Sequence, residues 1–289
     1  MTEMILSQLV NGLVLGFLYV LIAVGLSIIF GMLGIVNFAH GAFFAVGAYL
    51  ALVLDQYLGW WAVPLAPVLA GLIGMFVEFI LIRRLYDKDP LISLIVTFAL
   101  ALLIEALLRE IFGAAPLAFN APAFLSGFLV YGPILITKYR LFVLVVTVVA
   151  LVLFWAFLTY TPFGRIIRAG SRDGEMVGLL GINLPIVFSF VFGIGCLLAG
   201  LAGTLAAPLW TVNPSMAAGA IMPAFVIVTI GGLGSFAGAI IAGLLVGLTT
   251  AMTIQFAPQW SGAAMYVLMA LILLVRPRGL LGERWERFE

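Results

Sequence analysis

Asn37 and His40 stand out as polar residues among glycines in an otherwise apolar stretch. The amide and the imidazole offer hydrogen-bond donors and acceptors. They lie where one predicted span ends and the next begins, and such a break in a helix exposes backbone groups to a solute path. The alternative is structural: Asn37 caps the next span and His40 bonds to a neighbouring helix, because a polar group in lipid needs a partner whatever its role. One histidine is not a metal site, and we predict neither a metal site nor a catalytic residue.

A second polar set lies later in the chain. Asn213 and Ser215 flank a proline and predict a short or broken span that lines the same path. Thr97 is a further path candidate, with the alternative that its hydroxyl holds helices together. Glu105 and Arg109 share one helix face at their spacing. They suit the ammonium and carboxylate of a zwitterionic solute, or they neutralise each other.

The segment 164–183, GRIIRAGSRDGEMVGLLGIN, is charged and glycine-rich between two apolar blocks. Asp173 or Ser171 can cap a short helix there, Gly181 suits the position that ends it, and Pro185 begins the next span. Such a surface helix either lies on lipid headgroups or docks into a groove of a partner protein. The residues predicted to make this contact are Arg168, Arg172, Asp173, Glu175, Met176, Leu179 and Leu180.

These residues are positioned by membrane-spanning helices. Of 289 residues, 65% are hydrophobic and 9% are charged, and apolar blocks of about 20 residues suffice to cross ~30 Å of hydrocarbon. We predict an all-α, polytopic transmembrane bundle of about eight or nine spans, forming a single domain over 1–289. Cys196 is the only cysteine, which excludes a disulfide within the chain. The predicted spans are 5–30, 38–54, 61–82, 91–112, 139–160, 184–207, 219–233 (short), 236–256 and 260–275.

Most of the 13 lysines and arginines fall between spans three and four, in the segment 164–183 and in the C-terminal tail. The positive-inside rule then predicts an extracytoplasmic N-terminus and a cytoplasmic C-terminus. The residues are Arg83, Arg84, Lys88, Arg165, Arg168, Arg172, Arg276, Arg278, Arg284 and Arg287, whereas Lys138 and Arg140 fall on the outer side.

The uncharged outer loop 113–137 contains turn signals at Ser126-Gly127 and Tyr131-Gly132-Pro133, flanked by short β-prone runs. It predicts either a small extracytoplasmic hairpin or an ordinary connector.

Three segments resemble a known family. They are GIVNFAHG at 34–41 with a following Gly47-Ala48-Tyr49, MVGLLGIN at 176–183, and GGLGS at 231–235 with a following Gly238-Ala239. In order and spacing the chain resembles the LivH-type permeases of branched-chain amino acid ABC importers. The resemblance implies a second permease, two ATP-binding subunits that use ATP and Mg, and an extracytoplasmic solute-binding protein. It also implies that the helix in 164–183 is the coupling helix that contacts the ATPase, in a bacterial inner membrane.

Other functions fit the residues less closely. Lys88 and Lys138 are the only lysines and neither lies in a phosphate-binding loop, so we expect no ATP or other cofactor on this chain. The near-neutral charge of +1 gives no indication of nucleic-acid binding, and the remaining partner is membrane lipid. Ser235 with His40 lacks the pattern of a serine protease. A secondary transporter is the alternative, with Glu105 as its mid-span carboxylate.

Overall fold

The computed structural model describes residues 2–86, 88–131 and 134–282. Gly132 and Pro133, on which the predicted hairpin turn depends, and Arg284 and Arg287, used in the charge argument, lie outside the described residues. The helices are α1 (Thr2–Leu33), α2 (His40–Leu58), α3 (Ala62–Ile80), α4 (Pro90–Phe112), α5 (Lys138–Tyr160), α6 (Pro162–Gly170), α7 (Gly174–Leu179), α8 (Leu184–Ala206), α9 (Met216–Gly231), α10 (Phe236–Phe256) and α11 (Ser261–Val275).

The chain is a polytopic helical bundle, as predicted. Seven segments of the described chain are long and apolar enough to cross a membrane, and one of them, His40–Ile80, contains both α2 and α3. The shorter apolar helix α9 occupies the place of the predicted short span. The span count of about eight or nine stays a prediction, because it depends on whether α2, α3 and α9 each cross the membrane.

The first half of α2 lies in the interior of the bundle. Its residues from His40 to Ala45 and from Gly47 to Tyr49 are buried on all sides, and it packs chiefly against α8, α3 and α9. Glycines permit this close packing: a Cβ on Gly47 would lie 2.2 Å from the carbonyl oxygen of Gly200. Small residues are typical of helix contacts in membranes. They let helix backbones approach closely, and in lipid the hydrophobic effect does not drive helices together.

The connections between helices gather at two ends of the bundle. At one end, which we call the basic end, Arg83 bonds to the carbonyl of Pro185 (3.3 Å), and the tail residue Leu280 donates its N–H to Ile230 (2.7 Å). A Cβ on Gly31, near the end of α1, would also meet Ser171 and Gly234 there. The three described basic segments therefore share one end, as the charge distribution predicts.

The opposite end, which we call the hairpin end, carries the loop 113–137. Strands β1 (Phe128–Tyr131) and β2 (Ile134–Thr137) pair antiparallel within the segment where turn signals predict a hairpin. Leu117 forms an isolated bridge with Val212, which joins this loop to the connection between α8 and α9. Arg140 donates to Asn11, so the N-terminal part of α1 lies at this end too. The extracytoplasmic location of the hairpin stays a prediction.

Candidate functional site

The predicted surface helix is present at the basic end. Asp173 caps α7 by accepting a hydrogen bond from the N–H of Met176 at 2.9 Å. Gly181 follows the helix with φ +79°, a conformation that glycine adopts without a steric penalty. Pro185 lies in the first turn of α8. All three local predictions are confirmed, and together they hold α7 as a short, defined helix between α6 and α8.

The apolar side chains of α7 form an exposed tip. Met176, Leu179 and Leu180 are 56%, 77% and 75% exposed, whereas Val177 is buried and attaches the helix to the bundle. Large apolar side chains clustered on a surface typically mark a contact with another molecule. The charged residues predicted for this contact, Arg168, Arg172, Asp173 and Glu175, are all exposed around this tip.

Helix α6 is the element of this region that the sequence interpretation missed. Thr161 caps it by accepting from the N–H of Gly164 (3.0 Å), and Pro162 occupies its first turn. Ile167 is buried, whereas Arg165 and Arg168 are exposed, so α6 lies with one face on the bundle. The Thr161-Pro162 pair is a helix-start signal that was available in the sequence.

A buried carboxylate joins α3 to the start of α8. Glu78 is fully buried and accepts hydrogen bonds from the hydroxyls of Tyr86 and Ser189. The guanidinium of Arg83 lies 3.5 Å from the Glu78 carboxylate through Nε and donates from Nη2 to the Ser189 hydroxyl at 2.6 Å. Burial, and then the hydrogen bond to Glu78, raise the pKa of Tyr86, so the phenol stays protonated and remains a donor.

One member of this cluster, Ser189, follows the segment 164–183 closely in the chain. Ser189 is in the first two turns of α8, which begins a few residues after α7 ends. The side chains of Glu78 and Arg83 bond to Ser189, so they hold the first turns of α8 against the end of α3. The contact of Glu78 with Ser189 was not predictable from the sequence, since the two residues are 111 positions apart along the chain.

The chain is non-helical between α1 and α2, over residues 34–39, which we call the break. Asn37 and His40 are both fully buried there. The His40 Nε2 lies 3.0 Å from the carbonyl of Ile22, while its Nδ1 finds no hydrogen-bond partner among the described residues. Ile22 belongs to the middle of α1, so the break returns into the interior of the bundle. Non-helical backbone at membrane depth is tolerated where it is buried in protein or lines a cavity.

Asn37 is unusual within the break. Neither atom of its side-chain amide has a hydrogen-bond partner in the described part of the chain, although the residue is 0% exposed. The residue that precedes α2 as its N-cap is Ala39, and no side chain in the described part of the chain caps that helix. A buried amide without partners is destabilising by about 1–3 kcal/mol. A helix-capping role therefore does not explain the buried amide of Asn37.

Thr97 on α4 stabilises the backbone of the break. Its hydroxyl accepts from the N–H of Phe38 at 3.2 Å, and its proton is shared between the carbonyls of Val36 at 3.2 Å and Leu94 at 3.1 Å. These contacts pair two of the backbone groups that the interrupted helix leaves without partners. The Phe38 ring packs between Phe98 of α4 and Phe225 of α9, with centroid distances of 6.1 and 4.6 Å.

Asn213 and Ser215 lie at the hairpin end, just before α9. The Ser215 hydroxyl donates to Asn213 Oδ1 at 2.7 Å, and the Asn213 amide donates to the carbonyl of Thr211 at 3.1 Å, forming a local turn. Ser215 is exposed and begins an open side of α9 that continues through Met222 to Phe225. The predicted path residues are therefore not one cluster: Thr97 joins the break, whereas Asn213 and Ser215 lie at the far end of α9.

Comparison with known proteins supports a transport role for this fold. A family described as branched-chain amino acid transport system / permease component matches residues 8–275. The chain is 31% identical to the high-affinity branched-chain amino acid transport system permease protein LivH of Escherichia coli K12, over 96% of this chain and 95% of LivH. It is also 31% identical to the corresponding permease protein BraD of Pseudomonas aeruginosa, with the same coverage.

A second kind of relative is more distant. The E. coli permease protein LivM is 29% identical, over 91% of this chain and 68% of LivM. No solved structure is significantly similar to the chain. The family match and the near-complete overlap with LivH and BraD agree with the membrane-spanning helices described above. The chain is a multi-pass membrane protein and belongs to the branched-chain amino acid transport permease family.

Proposed function

We propose that this chain is the transmembrane permease subunit of an ABC importer. It forms half of the path for a branched-chain amino acid or a similar small polar solute, and separate subunits hydrolyse ATP with Mg. The observation that carries the proposal is the exposed apolar tip of α7, held on a capped helix at the basic end. A rigid helix with an apolar tip fits a groove on a partner protein, and its charged surroundings set the orientation.

The lipid-surface alternative is less consistent with α7. This helix has six residues, and a stable interfacial anchor needs a larger apolar face than its tip provides. The contacts of Glu78 and Arg83 with α8 further support a mechanical role of α7. A displacement of α7 would be passed through these contacts to the bundle.

The basic end is proposed to face the cytoplasm of a bacterial inner membrane, with the C-terminus there and the N-terminus outside. The positive-inside rule supports this orientation, since the described basic residues of three segments gather at one end. ATP is then supplied on the side of α7. A solute-binding protein is expected at the hairpin end.

The solute path is proposed to run between this subunit and a second, homologous permease. The similarity of the chain to two kinds of permease protein, LivH and LivM, supports a pair of related subunits. Along the path we place Asn37 and His40 at the break, with Thr97 fixing the break, and Asn213 with Ser215 near the entrance. The amide of Asn37, which has no hydrogen-bond partner among the described residues, is a group available to a solute when the helices separate.

The test replaces Met176 and Leu179 together by aspartate and measures ATPase retention on purification and solute-stimulated uptake. Each anchor of this kind contributes about 1–3 kcal/mol once desolvated, and an unpaired charge in the groove adds a further penalty. We expect the ATPase to detach or to hydrolyse ATP without uptake.

The matched control exchanges the two residues, Met176→Leu with Leu179→Met, which keeps the apolar volume of the tip. This control should retain the ATPase and the uptake. Wild-type retention and uptake by the aspartate variant would refute the coupling role. Uptake driven by an ion gradient, without ATP or co-purifying subunits, would instead support the secondary transporter.

A further inference from the structure

One side of α4 carries a row of residues at helical spacing, which we call the α4 ribbon. Its members are Phe98, Leu102, Glu105 and Arg109. Residues spaced by three and four lie above one another on the same face of a helix. The ribbon lies beside the stripe by which α4 packs on the bundle, whose buried residues are Ser93, Thr97, Leu100 and Leu108.

The charges of the ribbon are badly placed for lipid. Arg109 Nη2 donates to Glu105 Oε1 at 2.9 Å, and the two side chains are 57% and 21% exposed. Glu105 lies seven residues before the end of α4, about 10 Å along the axis, too deep for its short side chain to reach the headgroups. A charged residue in the bilayer interior costs about 2.5–3.5 kcal/mol and usually faces protein or water. By contrast, the exposed Glu110 is in the last turn, near the headgroups.

The ribbon is continuous with the break. Phe98, its first member, packs edge-on against Phe38, and Phe38 packs in turn against Phe225 on the open side of α9. A solute that follows the ribbon from Arg109 toward the basic end therefore arrives at the aromatic side chains that cover residues 34–39. The ribbon consequently connects the hairpin end of the bundle with the polar interior at Asn37.

We propose that the α4 ribbon faces the second permease across the solute path, and that Glu105 and Arg109 contact the charged ends of a zwitterionic amino acid. This inference rests on the proposed function. The Glu105 carboxylate matches an ammonium group, the Arg109 guanidinium matches a carboxylate in a bidentate geometry, and Leu102 and Phe98 offer apolar surface to the solute side chain. Before solute arrives, the two charges neutralise each other across one helical turn.

A charge exchange separates a path role from self-neutralisation. The variant Glu105→Arg with Arg109→Glu keeps an ion pair and the net charge but reverses its polarity. We expect uptake of radiolabelled leucine to fall at least about tenfold, since a lost hydrogen bond to a charged group is equivalent to roughly that factor. A second variant, Glu105→Leu with Arg109→Leu, should show the same loss. Wild-type uptake by both variants would mean that the pair only neutralises itself, and would overturn the proposal.

A labelling experiment tests the orientation of the ribbon without transport. Leu102 and Leu103 are adjacent, identical in type and similarly exposed in the isolated chain, at 52% and 55%, but they lie on different sides of α4. Each is replaced by cysteine in the chain with its native Cys196, which is buried and sets the background. We expect a membrane-impermeant thiol reagent to label Leu102→Cys faster, because that side meets water in the path. Equal labelling, or faster labelling of Leu103→Cys, would place the ribbon against lipid or buried protein and refute the inference.

The two experiments also distinguish this inference from the proposed function. If the wild-type chain fails to purify with a co-expressed permease and ATPase, the proposed function is wrong, while the labelling of Leu102→Cys and Leu103→Cys still decides which side of α4 meets water. If the complex forms and takes up leucine with ATP but the charge exchange has no effect, the ribbon inference alone is wrong.

Discussion

Replacing Gly47 by alanine tests the close contact between α2 and α8. A Cβ at this position would lie 2.2, 2.4 and 2.7 Å from the carbonyl oxygen, Cα and carbonyl carbon of Gly200. Ordinary contacts begin near 3.4 Å. All three atoms belong to the backbone of a packed helix and cannot rotate away, so the two helices must separate by about 1 Å.

The magnitude follows from these contacts. Overpacking of a packed interior costs about 1–3 kcal/mol, and backbone clashes fall at the upper limit. Separation also weakens the hydrogen bond that the Thr204 hydroxyl donates to the carbonyl of Gly47 at 3.1 Å, worth about 1 kcal/mol. We therefore expect Gly47→Ala to lose about 3 kcal/mol of unfolding free energy, which lowers the melting temperature of a chain of this size by about 5 °C.

The assay is thermal unfolding of the purified chain in detergent. Unfolding is measured as the decrease of the monodisperse peak in size-exclusion chromatography. The matched control is Gly219→Ala on α9, because a Cβ at Gly219 meets no described atom within 4 Å. Alanine is the better helix former by about 1 kcal/mol, so this control should be neutral or slightly stabilised. A melting temperature of Gly47→Ala within experimental error of wild type, or an equal drop in the control, would refute the packing argument.

Four further predictions concern the polar residues. Asn37→Leu should slow uptake but leave assembly of the transporter unchanged, because the amide has no hydrogen-bond partner to lose among the described residues. Equal losses of assembly, measured by co-purification, and of uptake would indicate a structural role. Glu78→Leu should destabilise the chain by about 1–3 kcal/mol in a melting experiment, since the Tyr86 hydroxyl loses its acceptor, the Ser189 hydroxyl loses one of two acceptors and Arg83 loses its ion-pair partner; an unchanged melting temperature would contradict this. The stabilisation from the Tyr86 hydroxyl should be complete at pH 8 and decrease above about pH 10, because the phenol ionises in the unfolded chain while its raised pKa keeps it protonated in the folded one. The variant Tyr86→Phe should lack this part of the alkaline decrease in stability. Identical stability profiles against pH for the variant and the wild type would contradict this prediction. Finally, a cysteine at Tyr57 should be labelled from outside, because the neighbouring Trp60 ring packs on Phe124 of the loop at the hairpin end. A cysteine at Arg278, in the tail at the basic end, should be labelled from the cytoplasm; labelling of both from one side would show that the assigned orientation is wrong.

Local features of the chain were predictable from the sequence. The caps of α7 at Asp173 and Gly181 were predicted because they depend on residues within one or two turns of each other. The bounds of the long apolar helices agree with the predicted spans within a few residues, since length and hydropathy determine them. The gathering of basic segments at one end follows from a rule that needs only the order of the spans.

Features that depend on packing were not predictable. The hydroxyl of Ser189 reaches Glu78 only because α3 and α8 lie side by side, and no local pattern encodes that neighbour. The backbone bonds from Leu280 to Ile230 and from Leu281 to Gly231, which fix the tail against the glycine-rich turn, have the same origin. For the site, residue type identified Asn37 and His40, but their complete burial and the missing partners of the Asn37 amide required the tertiary structure.

The burial of the first half of α2 has a consequence for the biogenesis of the protein. The surfaces that enclose α2 belong largely to α8 and α9, which are synthesised more than a hundred residues later. When α2 leaves the ribosome, His40 can already reach the carbonyl of Ile22 on α1, but the glycine- and alanine-rich surface of α2 lacks the helices that pack on it in the finished bundle. Such a surface gains its stabilisation from close contact with other helices, so α2 alone is only weakly held in lipid at that moment. The helix is accordingly expected to remain beside the translocon until α8 emerges, so that insertion and folding of this chain end together.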